Sequence, residues 1–304
     1  MTNRENNPMP NNPLGMDGIE FIEYATEEPL ALGAILERMG FVLIARHRSR
    51  EVVLYRQGDM NIIVNADPDA LVLRSDAEPH SSVISAIALR VRDAGTAYRY
   101  AIERGAWAIP TRAGAMELNI PGVHGAGESI LYFVDRYQDF SIYDVDFKML
   151  GPKNPSPAVI GDLHFFGVVQ AIRRGRTSEW IDFYQQLLGF DVLPEGLSFG
   201  VMPRGTLLRS PCGKFYMQLV EPPLSSVVMD WDEELIRIGF GTADVVAATR
   251  VLKERGIVFV DRASAQPSSK GALTQLYKGG VSFELVKSGP GPAHQSGLPA
   301  GGAQ

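Results

Sequence analysis

Runs with a period of two, suited to half-buried strands, alternate along this chain with longer runs at helical spacing. Ile19–Ala25 is followed by a helical stretch ending near Arg38–Phe41, and then by the β-prone runs Glu51–Tyr55 and Met60–Val64. Leu163–Val169, a helical stretch ending at Leu188–Phe190, Gly205–Arg209 and Phe215–Val220 repeat that order. A closer parallel follows in each half. Arg90–Gly105 and Gly241–Gly256 align at an offset of 151 residues, with Asp93 on Asp244 and Glu103-Arg104-Gly105 on Glu254-Arg255-Gly256. In each segment the Asp is placed to cap a helix, and the Gly to end it in the left-handed conformation. Short β-rich runs come next: Met116–Ile120 and Ser129–Val134 in one half, Ala272–Tyr277 and Val281–Val286 in the other.

This order predicts an α+β chain of four βαβββ modules, which pair their sheets into two half-open barrels with helices outside. Gly151–Ala158 carries three prolines in eight residues and is the expected linker between a barrel at 15–150 and a second at 159–288. Residues 1–14, rich in Asn and Pro, and 289–304, rich in Gly, Pro and Ala, are expected to be flexible tails.

Composition narrows the classes further. At 304 residues, 45% hydrophobic and 21% charged, the chain is neither a disordered nor a disulfide-scaffold protein, and its length suits about two domains. The single cysteine, Cys212, cannot form an internal disulfide, and no basic segment followed by an apolar run opens the sequence, so the expected location is the cytoplasm. No run approaches the roughly 20 apolar residues of a membrane span. With 29 basic against 35 acidic side chains the net charge is −6, which offers nucleic acid and anionic lipid no general attraction. A small molecule or a protein is the expected partner. Gly122–Gly127 lacks the strand-to-helix setting of a phosphate loop. Ile172–Arg176 reads as a solvated cationic turn rather than an anion site, and Cys212 as a structural thiol.

Met16–Ala25, Met39-Gly40-Phe41, His47-Arg48-Ser49, Leu54–Gly58, Met116–Pro121 and Ser141–Phe147 together resemble bacterial 4-hydroxyphenylpyruvate dioxygenases, of the vicinal oxygen chelate superfamily. The likeness is dense over about 15–150, weaker to about 288, and then stops. It implies a metal-free N-terminal barrel and a C-terminal barrel holding Fe(II) through two His and one Glu. It also implies homo-oligomers and a role in aromatic amino acid catabolism. The activity would be oxidative decarboxylation and oxygenation of an aryl 2-oxo acid.

By that resemblance His164, at the start of the first strand of the second barrel, is the first ligand, and Glu284 in the last strand is the third. Glu284 sits between Phe283 and Leu285 on the opposite strand face, so it should point into the barrel. The position of the second His holds Arg237, whose guanidinium is always protonated and cannot donate a lone pair to a metal. The resemblance places Gln218 and Gln275 toward substrate and gives Arg209 or Arg237 the task of steering a carboxylate. A pocket serine falls at Gly205, an asparagine at Val220, and the family's C-terminal lid helix has no counterpart before Gly-Pro-Gly-Pro. Two readings follow. One is an Fe(II) dioxygenase with His164 and Glu284 as ligands. The other is a metal-free pseudoenzyme or small-molecule-binding protein in which Arg237 pairs with Glu284 in place of the cation. Alternation puts Ile236, Ile238 and Phe240 on one face of their strand and Arg237, Gly239 and Gly241 on the other.

Overall fold

The computed structural model describes residues 12–68, 82–110, 118–138, 140–151, 155–194, 200–201, 205–222, 232–261 and 266–288. The chain forms β1 (Gly18–Thr26), α1 (Pro29–Arg38), β2 (Val42–His47), β3 (Val52–Gln57), β4 (Met60–Asn65), β5 (Ser82–Arg90), α2 (Ala94–Glu103), β6 (Gly122–His124) and β7 (Ile130–Val134). A short helix α3 (Ile142–Asp146) and β8 (Phe147–Met149) follow. Next come β9 (His164–Ala171), α4 (Thr177–Leu188), β10 (Asp191–Val192), β11 (Thr206–Arg209) and β12 (Tyr216–Val220). The chain closes with β13 (Glu234–Thr242), α5 (Val245–Glu254), β14 (Gly271–Leu273) and β15 (Phe283–Lys287).

Among the described residues two mixed sheets form, an α+β architecture of half-open form in which neither sheet closes into a barrel. The first runs β6-β7-β5-β1-β4-β3-β2-β8 and the second β10-β11-β12-β9-β13-β15-β14. The first and third modules are complete. In the second and fourth, the first strand after the helix shrinks among the described residues to single bridges, Ala108 to Val123 and Phe259 to Thr274. The expected strand at Ala272–Tyr277 is confined to β14; of Met116–Ile120, the first two residues lie outside the described residues and the rest precede β6.

The caps act as the sequence indicated. Asp93 accepts a 2.6 Å bond from the Thr96 N–H at the start of α2, and Asp244 a 2.9 Å bond from the Ala247 N–H at the start of α5. Both helices stop at left-handed glycines, Gly105 at φ 91° and Gly256 at φ 86°.

The apolar stripes of the helices and the outer faces of both sheets merge into one core. Leu32 and Leu36 of α1, Ala97 and Ala101 of α2, Tyr184 and Leu188 of α4 and Leu252 of α5 all belong to it. Phe41 meets Phe240 across the halves at 5.9 Å. The expected linker is therefore not a free tether where it is described: Pro157 O accepts from the Gly58 N–H at 2.9 Å, and Pro155 O accepts from Arg56. Fully buried Gln57 completes the seam, donating to Met39 O at 2.9 Å and accepting from the Ile160 N–H at 3.0 Å. Smaller clusters occupy the inner faces, one around Phe21, Leu54 and Tyr143 and another around Val169, Leu207 and Val286.

One strand departs from simple alternation. The register of β13 on β9 slips between Leu235 and Arg237, so Ile236 sits in a β-bulge. Leu235, Ile238 and Phe240 face the main core, while Ile236 packs with the inner cluster of Val169 and Val286. The expectation that Ile236 shares a face with Ile238 is corrected by that extra residue.

Because Gln57 ties two otherwise orphaned backbone groups from the two halves, Gln57→Leu should cost about 2 kcal/mol while keeping volume. Urea unfolding checks this: a single lowered transition seen by both far-ultraviolet circular dichroism and tryptophan fluorescence is expected, because the halves share a core.

Candidate functional site

Glycine marks the middle of the second sheet's inner face. Gly167 on β9 pairs with Gly239 on β13, and Gly239 pairs with Glu284 on β15. Two positions along, Gly241 pairs with both His164 and Val286. Two positions the other way, Arg237 pairs with Val169, which pairs with Gln218 on β12. Paired residues share a face and alternate residues return to it, so His164, Gln218, Arg237 and Glu284 all stand on the inner face. The glycines between them leave room for the long side chains.

Arg237 and Glu284 use that room on each other. Nε of Arg237 lies 3.0 Å from Oε2 of Glu284, an ion pair whose N–H is not aligned as a hydrogen bond. Glu284 is 0% exposed and Arg237 8%. The other carboxylate oxygen, Oε1, accepts a 2.6 Å bond from the Val201 N–H. Gly200 presents that N–H at φ 63°, and a Cβ there would run into the carboxylate itself. The carboxylate thus holds a guanidinium on one oxygen and a backbone donor on the other, the provision a buried anion requires.

His164 is engaged separately. Its Nδ1 lies 3.2 Å from Asp162 O, an acceptor only, so Nδ1 carries a proton. Nε2 shares a 3.1 Å hydrogen bond with Ser288 Oγ. Asp162, at φ 54°, is held in place by Thr242 Oγ1 and the Ala243 N–H. Gly241 lets the ring lie flat against the strand, since a Cβ would overlap Nε2.

The remaining sequence-derived residues lie elsewhere or face the site at a distance. Gln218 is buried in the row of Arg237. Arg209 stands on β11 as a half-exposed partner of Asp191 at 3.1 Å. Gln275 is exposed beyond the end of β14, its backbone N–H bonded to Val258 O. Arg176, from the basic turn, is paired with Glu233 at 2.6 Å and Glu179 at 2.7 Å. Sequence reasoning missed Gly200, Val201 and Ser288, because a backbone donor and a hydroxyl arriving from a distant loop leave no periodic trace.

These residues do not fit a ferrous ion. A two-His, one-carboxylate facial site needs three donors, whereas this face offers one imidazole, one carboxylate and a guanidinium that carries positive charge and has no lone pair to give. Among the described residues no group of three or more His, Cys, Asp or Glu is placed to hold a metal. The first sheet carries still less: the positions matching His164, Arg237 and Glu284 in register are Gly18, Ala86 and Tyr132.

Two half-open mixed sheets built from βαβββ modules, with candidate ligands on the inner face of the second, define a member of the vicinal oxygen chelate superfamily. The family model for the N-terminal region of hydroxyphenylpyruvate dioxygenase matches residues 10–148. The 4-hydroxyphenylpyruvate dioxygenase of Pseudomonas aeruginosa is 33% identical over 262 residues, covering 82% of this chain and 72% of that protein. Hemolysin VllY of Vibrio vulnificus is 34% identical over 264 residues, covering 82% and 73%. The chain belongs to the 4-hydroxyphenylpyruvate dioxygenase family. A solved fusion of a xylose isomerase-like TIM barrel with a 4-hydroxyphenylpyruvate dioxygenase shares the fold at TM-score 0.72 and 24% identity; the match covers 94% of this chain and about half, 51%, of the fusion.

Two glycines with positive φ separate backbone strain from contact with the carboxylate. Gly200 abuts Glu284, whereas a methyl group added to Gly213, at φ 70°, would meet nothing within 4 Å. Gly213→Ala should therefore cost about 1 kcal/mol for its conformation alone, and Gly200→Ala at least about 1 kcal/mol more, as measured by chemical denaturation.

Proposed function

We propose that this chain is a metal-free member of the dioxygenase family, a small-molecule-binding or scaffold protein whose second sheet keeps the fold of an iron-binding half without its oxygen chemistry. The Arg237–Glu284 ion pair carries this reading: at 3.0 Å and almost fully buried, it supplies from within the chain the positive charge that a carboxylate in this position otherwise takes from a cation. The Val201 N–H on the second oxygen supports it, because both oxygens of the one carboxylate ligand are then engaged. Relatives are consistent with diverse use of the fold, since one is named as a hemolysin and a solved neighbour is joined to a TIM barrel.

The competing reading is an Fe(II) dioxygenase acting on an aryl 2-oxo acid, favoured by the relative named as a 4-hydroxyphenylpyruvate dioxygenase and by the common face of His164 and Glu284. The two readings differ in what Arg237 does. If it replaces the metal, binding of iron is blocked by charge and by the missing imidazole, and one substitution supplies the missing donor.

Metal analysis of protein purified without chelator, followed by anaerobic Fe(II) titration, separates them. The natural protein is expected to carry no stoichiometric iron and to bind none at tenfold excess, whereas Arg237→His gains a site with affinity raised at least tenfold. Stoichiometric iron in the natural protein, with oxygen uptake on adding 4-hydroxyphenylpyruvate, would establish the dioxygenase instead.

A further inference from the structure

The registers that bring Arg237 beside Glu284 also lay out a glycine-floored trough on the inner face of the second sheet. Tyr216 on β12, Gly167 on β9, Gly239 on β13 and Glu284 on β15 pair in one row. Three strand spacings, about 14 Å, separate Tyr216 from Glu284, and both positions between them are glycine. Val169 and Arg237 stand two residues along on one side of this floor, and the ring of His164 lies close over Gly241 on the other. At the β12 end the wall is aromatic, with the rings of Phe166 and Tyr216 stacked at 4.8 Å and 28°. Leu207, in the row of Arg237, and Val286, in the row of Gly241, make the surroundings apolar.

Arg237 brings its head group to this floor, since its Nε reaches the carboxylate of the residue beside Gly239. The side chain is more than nine-tenths buried, and among the described residues Nη1 and Nη2 make no hydrogen bond. N–H donors held so far from bulk water call for an acceptor. Glu284 already matches the guanidinium charge, so an anionic acceptor would set two carboxylates on one cation in apolar surroundings, a repulsive arrangement. A neutral carbonyl oxygen accepts the same hydrogen bonds at much lower desolvation cost. A floor without side chains beside an aromatic wall suits a flat ring attached to that carbonyl.

We propose that this trough binds a neutral aryl carbonyl compound, an amide or ester, with its carbonyl oxygen on Nη1 and Nη2 of Arg237 and its ring on the Gly167–Gly239 floor beside Tyr216. The assignment rests on the metal-free reading and names the ligand class of that site. Its selectivity is the reverse of a site that holds a 2-oxo acid on a cation, because the carboxylate such a site requires is the group this one disfavours.

Calorimetric titration of the full chain, with chelator present, tests this with 4-hydroxyphenylacetamide, 4-hydroxyphenylacetate and 4-ethylphenol, which share a phenol ring and differ in the group opposite it. The amide is expected to bind about tenfold more tightly than either of the others, since it alone offers a neutral acceptor. The double variant Arg237→Met/Glu284→Leu, which strands no charge, should bind the amide and 4-ethylphenol equally. Methyl chemical shifts of the natural protein give a readout independent of whether that variant folds: the amide should move Val169 and Leu207 and leave Ile63 and Ile130 of the first sheet in place. Acetate binding as tight as that of the amide, no binding of the amide at millimolar concentration, or shifts confined to the first sheet would each overturn the assignment and leave the metal-free reading standing. Amide binding that requires added Fe(II) would overturn both.

Discussion

Burial of Glu284 is the constraint around which the second sheet is arranged. Phe283 and Leu285 must face the main core, and that requirement forces the residue between them onto the inner face. A carboxylate fully removed from water there carries a desolvation cost of several kcal/mol unless it meets a counter-charge and hydrogen-bond donors. Arg237 and the Val201 N–H meet both needs. The glycines follow from the same demand. Gly239 has no side chain to separate Arg237 from Glu284, and Gly200 lets a backbone N–H approach the carboxylate more closely than any other residue would allow.

The two halves solve one folding problem with different chemistry. Strands β1, β5 and β7 repeat the register of β9, β13 and β15, including a bulge at Glu20 that matches one at Phe166. Glu20 in the first half finds Arg90 at 2.6 Å, so each half contains a buried glutamate ion-paired with an arginine of a neighbouring strand. The charges nevertheless sit at different places in the repeat. In the first half α3 packs on one end of the inner face; in the second, the Arg237–Glu284 ion pair occupies the middle of it.

Much of this was legible in the sequence because it rests on periodicity and on single residues with strong local meaning. The offset between Asp93 and Asp244, and between Gly105 and Gly256, marked the repeated helices. The position of Glu284 between two core residues and of Arg237 beside two small ones indicated a shared face. What escaped depends on distance in space. The merged core, with Phe41 on Phe240 and Gln57 bridging to Ile160, turns an expected linker into a packed seam. The bulge at Ile236 interrupts alternation without a glycine or proline to announce it. Arg209 and Gln275 were placed by resemblance, and local structure draws Arg209 to Asp191 and leaves Gln275 exposed beyond β14.

The central claim is that Arg237 and Glu284 act as one unit, each present because of the other. A double-mutant cycle on the natural protein, using Arg237→Met, Glu284→Leu and the double variant, measures this by urea denaturation. The account predicts that each single change costs about 3 kcal/mol or more by stranding a buried charge, and that the double variant recovers most of the loss, giving a coupling of at least about 2 kcal/mol that is the same in chelator and in excess Fe(II). Additive effects, or a stability of the natural protein that rises with Fe(II) and falls with chelator, would contradict it.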